Sequence, residues 1–178
     1  MVYVLLADGF EEIEAIEPID IMRRAGIDVK TVSIKTDKTV MGAHSIQIIA
    51  DMVITDVEPD DIELLMLPGG AGHELLDASN EVHYLMNECV IRGKYLASIC
   101  AAPSIPGKKM ILSGKRATCF PGFEKYLYGA EVVSDKVAED GKFITAKGAG
   151  AAAEFGFKLV EILKSKDEAV ALKEQMQY

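Results

Sequence analysis

Short, continuous apolar runs separated by helical patterns are the feature that most constrains how this chain can fold. The clearest runs are Val2–Ala7, Ile62–Pro68 and Tyr95–Ile99, and helical patterns at Glu11–Ala25 and Asn80–Arg92 lie between them. Strands that are apolar along their whole length are buried on both faces, which is typical of a parallel sheet covered by helices. The sequence therefore predicts an α/β sandwich with a mostly parallel sheet and helices on both faces.

The chain of 178 residues has the length of a single domain spanning residues 1–178, with a core that needs neither a disulfide nor a metal. A formal net charge of -9 argues against nucleic acid and anionic membranes as partners, so small molecules or proteins are expected instead. The three cysteines lack metal-ligand spacing and indicate a reducing compartment. Since the N-terminus resembles neither a signal peptide nor a membrane span, we expect a cytoplasmic protein.

Cys100 follows directly after the apolar run Tyr95–Ile99 and precedes Ala101 and Ala102. A thiol that a buried strand delivers to the start of a helix meets unpaired amides and the helix dipole, both of which stabilise the thiolate. We therefore expect Cys100 to be more acidic than a free cysteine, with the Ala101 amide placed where an oxyanion would form. The alternative is a buried cysteine that serves as a small hydrophobic residue.

Glu14 lies on the apolar stripe of the first predicted helix, because steps of four and seven residues from it reach Pro18 and Ile21. A carboxyl group buried beside a thiol has a raised pKa and is able to donate a hydrogen bond to a thiolate or to move a proton. The alternative is a carboxylate satisfied by local backbone amides. The other acidic residues near this helix start are explained by the helix dipole.

A glycine-rich turn that includes Gly69 and Gly70 follows the run Ile62–Pro68. Glycine lets the backbone approach a ligand closely and adopt positive φ. The turn has neither the Gly-x-Gly-x-x-Gly pattern nor the Lys-Ser/Thr of a P-loop, so an oxyanion pocket is favoured over a nucleotide site. Because the carboxyl ends of parallel strands meet at one edge of the sheet, we expect Glu14, Gly70 and Cys100 to be neighbours.

In this order, the motifs resemble the ThiJ/PfpI superfamily, most closely its DJ-one- and YajL-like branch. The resemblance covers nearly the whole chain and is carried by Ala7–Glu14, Pro18–Gly26, Leu67–Gly70, Ile99–Pro103, Phe120–Gly122 and Gly148–Gly150. It implies a flavodoxin-like α/β sandwich, commonly a homodimer, that works without a cofactor.

The resemblance also implies roles for particular residues. Cys100 would be the reactive nucleophile and oxidation sensor, Glu14 its protonated partner, and the turn at Gly69 and Gly70 would form an oxyanion pocket with the Ala101 amide. The implied activity is cofactor-free conversion of methylglyoxal or glyoxal to a hydroxy acid, or deglycation of early dicarbonyl adducts on proteins, in carbonyl and oxidative stress. The open alternative is a redox-responsive chaperone or sensor in which the cysteine is oxidised without turnover.

Two histidines are candidate auxiliary groups, because Phe120 stands where some superfamily members have a histidine beside the cysteine and no complete Cys-His-acid triad is predicted. His44 occupies a position where relatives carry an arginine that approaches the site from the partner subunit. His73 follows the glycine-rich turn. Either would be able to accept a proton, although a lone histidine is more often structural.

Two further residues carry expectations that the structure tests. Cys119 is a candidate resolving thiol for oxidised Cys100, unless strand alternation points it away. Pro106 is expected to kink or shorten the helix that follows Cys100. No metal site is predicted.

Overall fold

The computed structural model describes all 178 residues and confirms the predicted α/β sandwich. The strands are β1 (Val2–Leu6), β2 (Val29–Ser33), β3 (Thr39–Met41), β4 (Gln47–Ile49), β5 (Met52–Val53), β6 (Leu64–Leu67), β7 (Tyr95–Ile99), β8 (Arg116–Ala117), β9 (Glu131–Val132), β10 (Val137–Asp140) and β11 (Phe143–Ala146). The helices are α1 (Glu12–Arg24), α2 (His73–Ala78), α3 (Asn80–Ile91), α4 (Ser104–Lys108), α5 (Ala152–Leu163) and α6 (Lys166–Gln175). None of these helices combines the length and the apolar character needed to cross a bilayer.

The central sheet has seven strands in the order β10-β11-β7-β6-β1-β2-β5. Every neighbouring pair is parallel except the β10–β11 hairpin. β3 and β4 form a separate antiparallel pair, and β8 and β9 form a short parallel pair. The sheet is therefore mostly parallel, as the continuous apolar runs predict.

Alternate residues of β1 supply two separate cores. Val4 and Leu6 pack with α1, α5 and α6 on one face of the sheet, whereas Leu5 packs with α2, α3 and α4 on the other. These side chains are fully buried, and each such side chain contributes roughly 1.5–3 kcal/mol of burial free energy. Gly156 of α5 lets this helix approach α1 closely, since a Cβ there would lie 3.1 Å from the Pro18 Cα. This close packing fixes the position of α1 over the sheet.

The carboxyl ends of β1, β6 and β7 lie side by side, because these strands are neighbours in the sheet. The loops that leave them are joined by backbone hydrogen bonds: the Glu11 amide donates to the Gly69 carbonyl over 3.1 Å. The Cys100 amide donates to the Ala146 carbonyl at the end of β11 over 2.9 Å. The loops after β1 and β6 are thereby joined to each other, and the bend after β7 is joined to the end of β11. All of these segments lie at the edge of the sheet where an open α/β sheet has its ligand crevice.

Pro106 lies inside α4, which is only five residues long. A proline within a helix lacks the amide that would continue the hydrogen-bond ladder and crowds the preceding turn. The prediction that the helix after Cys100 is shortened is therefore confirmed, and this helix does not begin until Ser104.

Candidate active site

Cys100 occupies a sharp bend immediately after β7 and has a φ of +66°. Such a φ is strained for a residue with a Cβ, so neighbouring bonds must hold it in place. Besides the bond from its amide to Ala146, its carbonyl accepts a hydrogen bond from the Phe120 amide over 2.8 Å. The bend leaves the side chain half-buried, whereas the other two cysteines are buried. A buried strand therefore delivers the Cys100 thiol to a sharp bend, as the sequence predicts.

Glu14 lies in the first turn of α1 with only 2% of its surface exposed. Its Oε2 accepts a hydrogen bond from the Gly69 amide over 3.1 Å, and the nearby Cys100 thiol and Ala149 amide lower the pKa of its carboxyl group. A Cβ at Gly69 would overlap both the Glu14 carboxyl and the Cys100 side chain. Glycine is therefore required at position 69 for the acid and the thiol to meet.

The amides of Gly70 and Ala101 lie close enough to the Cys100 sulfur to lower the pKa of its thiol. Gly70 has a φ of +82°, and a Cβ at this position would lie 2.5 Å from the Glu11 nitrogen. A side chain is therefore excluded here by both conformation and space. The structure places Glu14, Gly69 and Cys100 side by side, next to Gly70, as predicted from the strand ends. The oxyanion pocket formed by the Gly70 and Ala101 amides stays a prediction.

The pKa of Glu14 is raised to about 7, chiefly because burial disfavours the carboxylate. The negative charge of nearby Glu11 raises the pKa further, whereas hydrogen bonds from Cys100 and from the Gly69 and Ala149 amides lower it. The Glu11 carboxylate is held close because it caps α1, accepting a hydrogen bond from the Glu14 amide over 2.7 Å. Glu14 therefore changes its protonation state near neutral pH, as a proton relay must.

The expectation that Cys100 is more acidic than a free cysteine is wrong. Burial raises its pKa to about 12, and the negative charge on Glu14 and the hydrogen bond to it also raise this pKa, against the lowering effect of the Gly70 and Ala101 amides. The helix dipole gives little help, because α4 has five residues and starts four positions after Cys100. While Glu14 is ionised, the negative charge of the pair resides on the carboxylate. Protonation of Glu14 removes the repulsion that opposes the thiolate.

His44 lies in the turn between β3 and β4 and contacts Glu12 rather than the thiol. Its Nδ1 is 2.6 Å from the Glu12 Oε2, and its amide donates to the Glu12 Oε1 over 2.7 Å. These hydrogen bonds raise the pKa of His44, and they lower the pKa of Glu12 in spite of the burial that raises it. Within one subunit the structure does not join His44 to the Glu14–Cys100 pair.

Glu11, Glu12 and His44 bring three potential metal-ligand atoms within 4.8 Å of one another. The Glu11 carboxylate already caps α1, and the Glu12 carboxylate already binds the ring and the amide of His44. These contacts explain why the three residues cluster, and we assign no metal to them.

His73 is linked to the pocket through the Gly70 carbonyl, which lies 2.9 Å from its Nδ1. A carbonyl oxygen only accepts hydrogen bonds, so Nδ1 carries the proton. The ring also meets the Phe123 ring edge-on, with centroids 5.3 Å apart. His73 therefore contacts the backbone of the glycine-rich turn, whereas it has no hydrogen bond to the thiol.

Cys119 faces away from the Cys100 pocket. It packs in a small apolar cluster with Leu112, Ala117 and Leu127, and it lines a cavity of about 270 Å³ that also includes Lys147. Burial raises its pKa to about 12, and the charge of Glu124 adds to this rise. The role of resolving thiol stays a prediction, and its burial does not favour it.

Two contacts of Glu14 were not anticipated from the sequence. The Ala149 amide donates to its carboxyl group, and no side-chain pattern signals a backbone donor of this kind. The second concerns the loop before α5, which contains Gly148 and Ala149. A Cβ at Gly148 would lie 3.3 Å from the Phe120 ring and 3.5 Å from the Glu14 Oε1. Gly148 thus lies close to both the acid and Phe120, and this phenylalanine, which stands where some superfamily members have a histidine, cannot exchange protons.

A comparison with known protein families gives the same grouping as the motif resemblance. The family model described as DJ-1/PfpI family matches residues 1–162. The chain belongs to the DJ-1/PfpI family. The match spans every element of the site, from the loop after β1 to the loop before α5.

Individual relatives of the DJ-1/PfpI family support the assignment. Protein dj-1beta of Drosophila melanogaster is 36% identical over 168 residues, which cover 93% of this chain and 90% of the relative. A protein named deglycase from Pyrococcus abyssi is 30% identical over 165 residues, covering 92% and 99%. The chain spans less than half of two Arabidopsis thaliana relatives named DJ-1 homologs A and B, 44% and 39% of their lengths.

Solved structures agree with the fold. Oxidised DJ-1 of Toxoplasma gondii superposes with a TM-score of 0.95 at 31% identity, covering 99% of this chain and 97% of that chain. DJ-1beta of Drosophila melanogaster gives a TM-score of 0.92 at 34% identity, covering 99% and 96%.

Proposed function

We propose that this protein is a cofactor-free cysteine enzyme that converts methylglyoxal or glyoxal to a hydroxy acid and removes early dicarbonyl adducts from glycated proteins. The observation that carries the proposal is the contact between the Glu14 carboxyl, whose pKa is about 7, and the Cys100 thiol. A thiol paired with an acid that titrates near neutrality, and faced by two amide donors, has the groups needed for addition to a carbonyl.

In the first step the Cys100 sulfur attacks the aldehyde carbon of methylglyoxal. The Glu14 carboxylate takes the thiol proton as the carbon–sulfur bond forms, which explains how a thiol of high pKa becomes nucleophilic. The amides of Gly70 and Ala101 stabilise the oxyanion that develops from the aldehyde oxygen. Glu14 then returns the proton to this oxygen, giving a hemithioacetal.

In the second step a proton moves between two adjacent carbons of the hemithioacetal. The Glu14 carboxylate removes the hydrogen from the carbon bonded to sulfur and returns this proton to the neighbouring carbon, while the hydroxyl proton on the first carbon moves to the oxygen on the second. The first carbon is oxidised to a thioester while the second is reduced to an alcohol, so no external oxidant or reductant is needed. Water then hydrolyses the thioester, which releases lactate and restores the Cys100 thiol.

Deglycation uses the same groups on a substrate in which the dicarbonyl is already attached to a protein side chain. The relatives from Pyrococcus abyssi and Thermococcus kodakarensis carry the name deglycase, which supports this extension. Glycated proteins are therefore the second proposed substrate class.

The direct test is production of lactate from carbon-13-labelled methylglyoxal, followed by NMR. We expect the purified protein to form lactate well above the buffer rate in the presence of a chelator and without glutathione, because the proposed chemistry uses only side chains and water. A lactate signal equal to the buffer rate would reject the enzymatic proposal.

A redox sensor or chaperone without turnover is the second candidate, and the exposure of the cysteines supports it. Cys100 is the one cysteine that is not buried, and oxidised Toxoplasma gondii DJ-1 shows that a relative exists in an oxidised form. All three cysteines are unpaired, which fits a reducing compartment such as the cytoplasm. Oxidation of Cys100 by peroxide in a protein that forms no lactate would favour this candidate.

We infer that the protein forms a homodimer through an apolar face around the exposed start of α1. A cavity of about 640 Å³ on this face is lined by Ile13, Ile16, Ile46, Ile48, Met176 and Tyr178, together with three acidic residues at its rim. Contiguous apolar surface of this kind on a folded domain is typical of an interface. The family resemblance supports a second copy of the same chain as the partner.

Substituting Ile46 by glutamate is expected to weaken this dimer at least about tenfold, because a buried interfacial charge has no partner. Ile46 is 56% exposed in the single chain and lies outside α1, the helix that carries Glu14. Sedimentation velocity over a concentration series measures the change. The matched control is Ile91→Glu, since Ile91 is 78% exposed but belongs to α3. A monomeric wild-type protein, or equal weakening by both variants, would contradict this interface.

A further inference from the structure

The Gly70 carbonyl is held by two hydrogen bonds from one residue. His73 donates to it from its backbone amide over 3.2 Å and from its ring Nδ1 over 2.9 Å. Gly70 has a φ of +82° and no side chain, so its two flanking peptides are free to rotate unless other groups restrain them. The ring bond from His73 therefore adds a second restraint on the carbonyl that the His73 amide already holds.

The peptide on the other side of Gly70 joins it to Gly69 and lies against the thiol, since a Cβ at Gly69 would be 3.0 Å from the Cys100 sulfur. The Gly70 amide of this peptide lowers the pKa of the thiol. This second peptide is anchored by the Gly69 carbonyl, which accepts a hydrogen bond from the Glu11 amide over 3.1 Å. Hydrogen bonds therefore hold both peptides that flank Gly70: Glu11 holds the carbonyl of the preceding peptide, and His73 holds the carbonyl of the following one. The direction in which the Gly70 amide points depends on both sets of hydrogen bonds.

The His73 ring is itself fixed by packing. It meets the Phe123 ring at an interplanar angle of 82° with centroids 5.3 Å apart, and both rings line a cavity of about 410 Å³. The Phe123 amide donates to the Phe120 carbonyl over 3.0 Å, and the Phe120 amide donates to the Cys100 carbonyl. The aromatic contact therefore joins the loop that carries the amide donor to the loop that holds the nucleophile.

We propose that His73 is a positioning residue that aims the Gly70 amide at the Cys100 sulfur. The assignment rests on the proposed function, because it presupposes that Cys100 is the nucleophile. It differs from the proton-acceptor role considered from the sequence, since the protonated Nδ1 is occupied by a backbone carbonyl. His73 acts through Gly70 and touches neither the thiol nor the reacting carbonyl.

Three substitutions separate this role from general packing. Asn places its amide nitrogen near the position of Nδ1 and keeps the donor, whereas Gln places its nitrogen near Nε2, and Ala removes the donor. We expect His73→Ala and His73→Gln to lower kcat for methylglyoxal about tenfold, with KM changed less than about twofold, since an oxyanion contact acts mainly in the transition state. His73→Asn is expected to stay within about twofold of the wild type. The matched control is Glu74→Gln, which alters the same cavity wall without touching Gly70.

The rate at which iodoacetamide alkylates Cys100, measured by peptide mass spectrometry against pH, gives a readout that does not need turnover. We expect it to fall about threefold or more in His73→Ala and His73→Gln and to be restored in His73→Asn, because a misdirected amide stabilises the thiolate less. Wild-type alkylation in His73→Ala, or an equally slow His73→Asn, would overturn the assignment. If the His73 substitutions change the alkylation rate as expected but the wild-type protein forms no lactate, the positioning role is supported and only the enzymatic proposal is rejected.

Discussion

Replacing Cys100 by alanine is expected to reduce lactate formation from methylglyoxal to the buffer rate, a loss of at least about 10³-fold. The reason is geometric, because only this thiol is contacted by both the Glu14 carboxyl and the two amide donors. An alanine fits the same bend, so the fold is expected to remain intact. Carbon-13 NMR with labelled methylglyoxal measures the loss, and circular dichroism checks the fold.

The matched controls are Cys89→Ala and Cys119→Ala. Both thiols are buried in apolar clusters, and burial raises the pKa of each to about 12 without a contact to Glu14. We expect both variants to form lactate within about twofold of the wild type, since the groups at the proposed site remain unchanged. Full activity in Cys100→Ala would show that Cys100 is not the nucleophile. A large loss of activity in Cys119→Ala would instead indicate a catalytic or resolving role for Cys119.

Substituting Glu14 by glutamine is expected to remove most of the turnover, by about 10²-fold or more, while the protein still folds. Glutamine keeps the shape of the side chain and a hydrogen-bond donor, but it cannot accept the thiol proton or return it to the substrate. The variant is expected to retain much of its ability to hold an oxidised Cys100, because an amide still donates to sulfinate oxygens. Measured kcat values, together with mass spectrometry after mild peroxide treatment, separate the two properties.

The pH dependence gives an independent check on Glu14→Gln. In the wild type the pKa of Glu14 is about 7, so Cys100 alkylation is expected to show an inflection near this pH that the variant lacks. The carboxyl binds its proton more tightly in the folded state than in the unfolded state, so it stabilises the fold at low pH. This contribution is lost as pH rises from about 4.5 to about 7.

The loss amounts to at most roughly 3–4 kcal/mol, and glutamine avoids it because it has no charge to bury. Glu14→Gln is therefore expected to be more stable than the wild type at pH 8, as measured by urea unfolding. If turnover and the alkylation profile are both unchanged, Glu14 has only a structural role at the start of α1. The proton relay must then be assigned to another residue.

The sequence by itself predicts the sandwich and the location of the candidate site. Continuous apolar runs are local patterns, and they report burial on both faces of a strand without knowledge of the partners. The position of Cys100 after β7 and the apolar stripe that includes Glu14 are local in the same sense. Because parallel strands share one carboxyl edge, these patterns also place the acid, the glycine turn and the thiol together.

Only the tertiary structure determines the electrostatics and the partners of these groups. The Glu14 carboxyl accepts a hydrogen bond from the Gly69 amide, which is 55 positions away in the sequence. The pKa of Cys100 likewise depends on burial by segments that are remote along the chain. Local reasoning therefore predicted an acidic thiol from a helix that is in fact short and distant. It also left His44 and His73 equivalent, whereas packing assigns the first to Glu12 and the second to the Gly70 carbonyl. Desolvation and hydrogen-bond partners arise from contacts between remote segments, which no periodicity along the chain encodes.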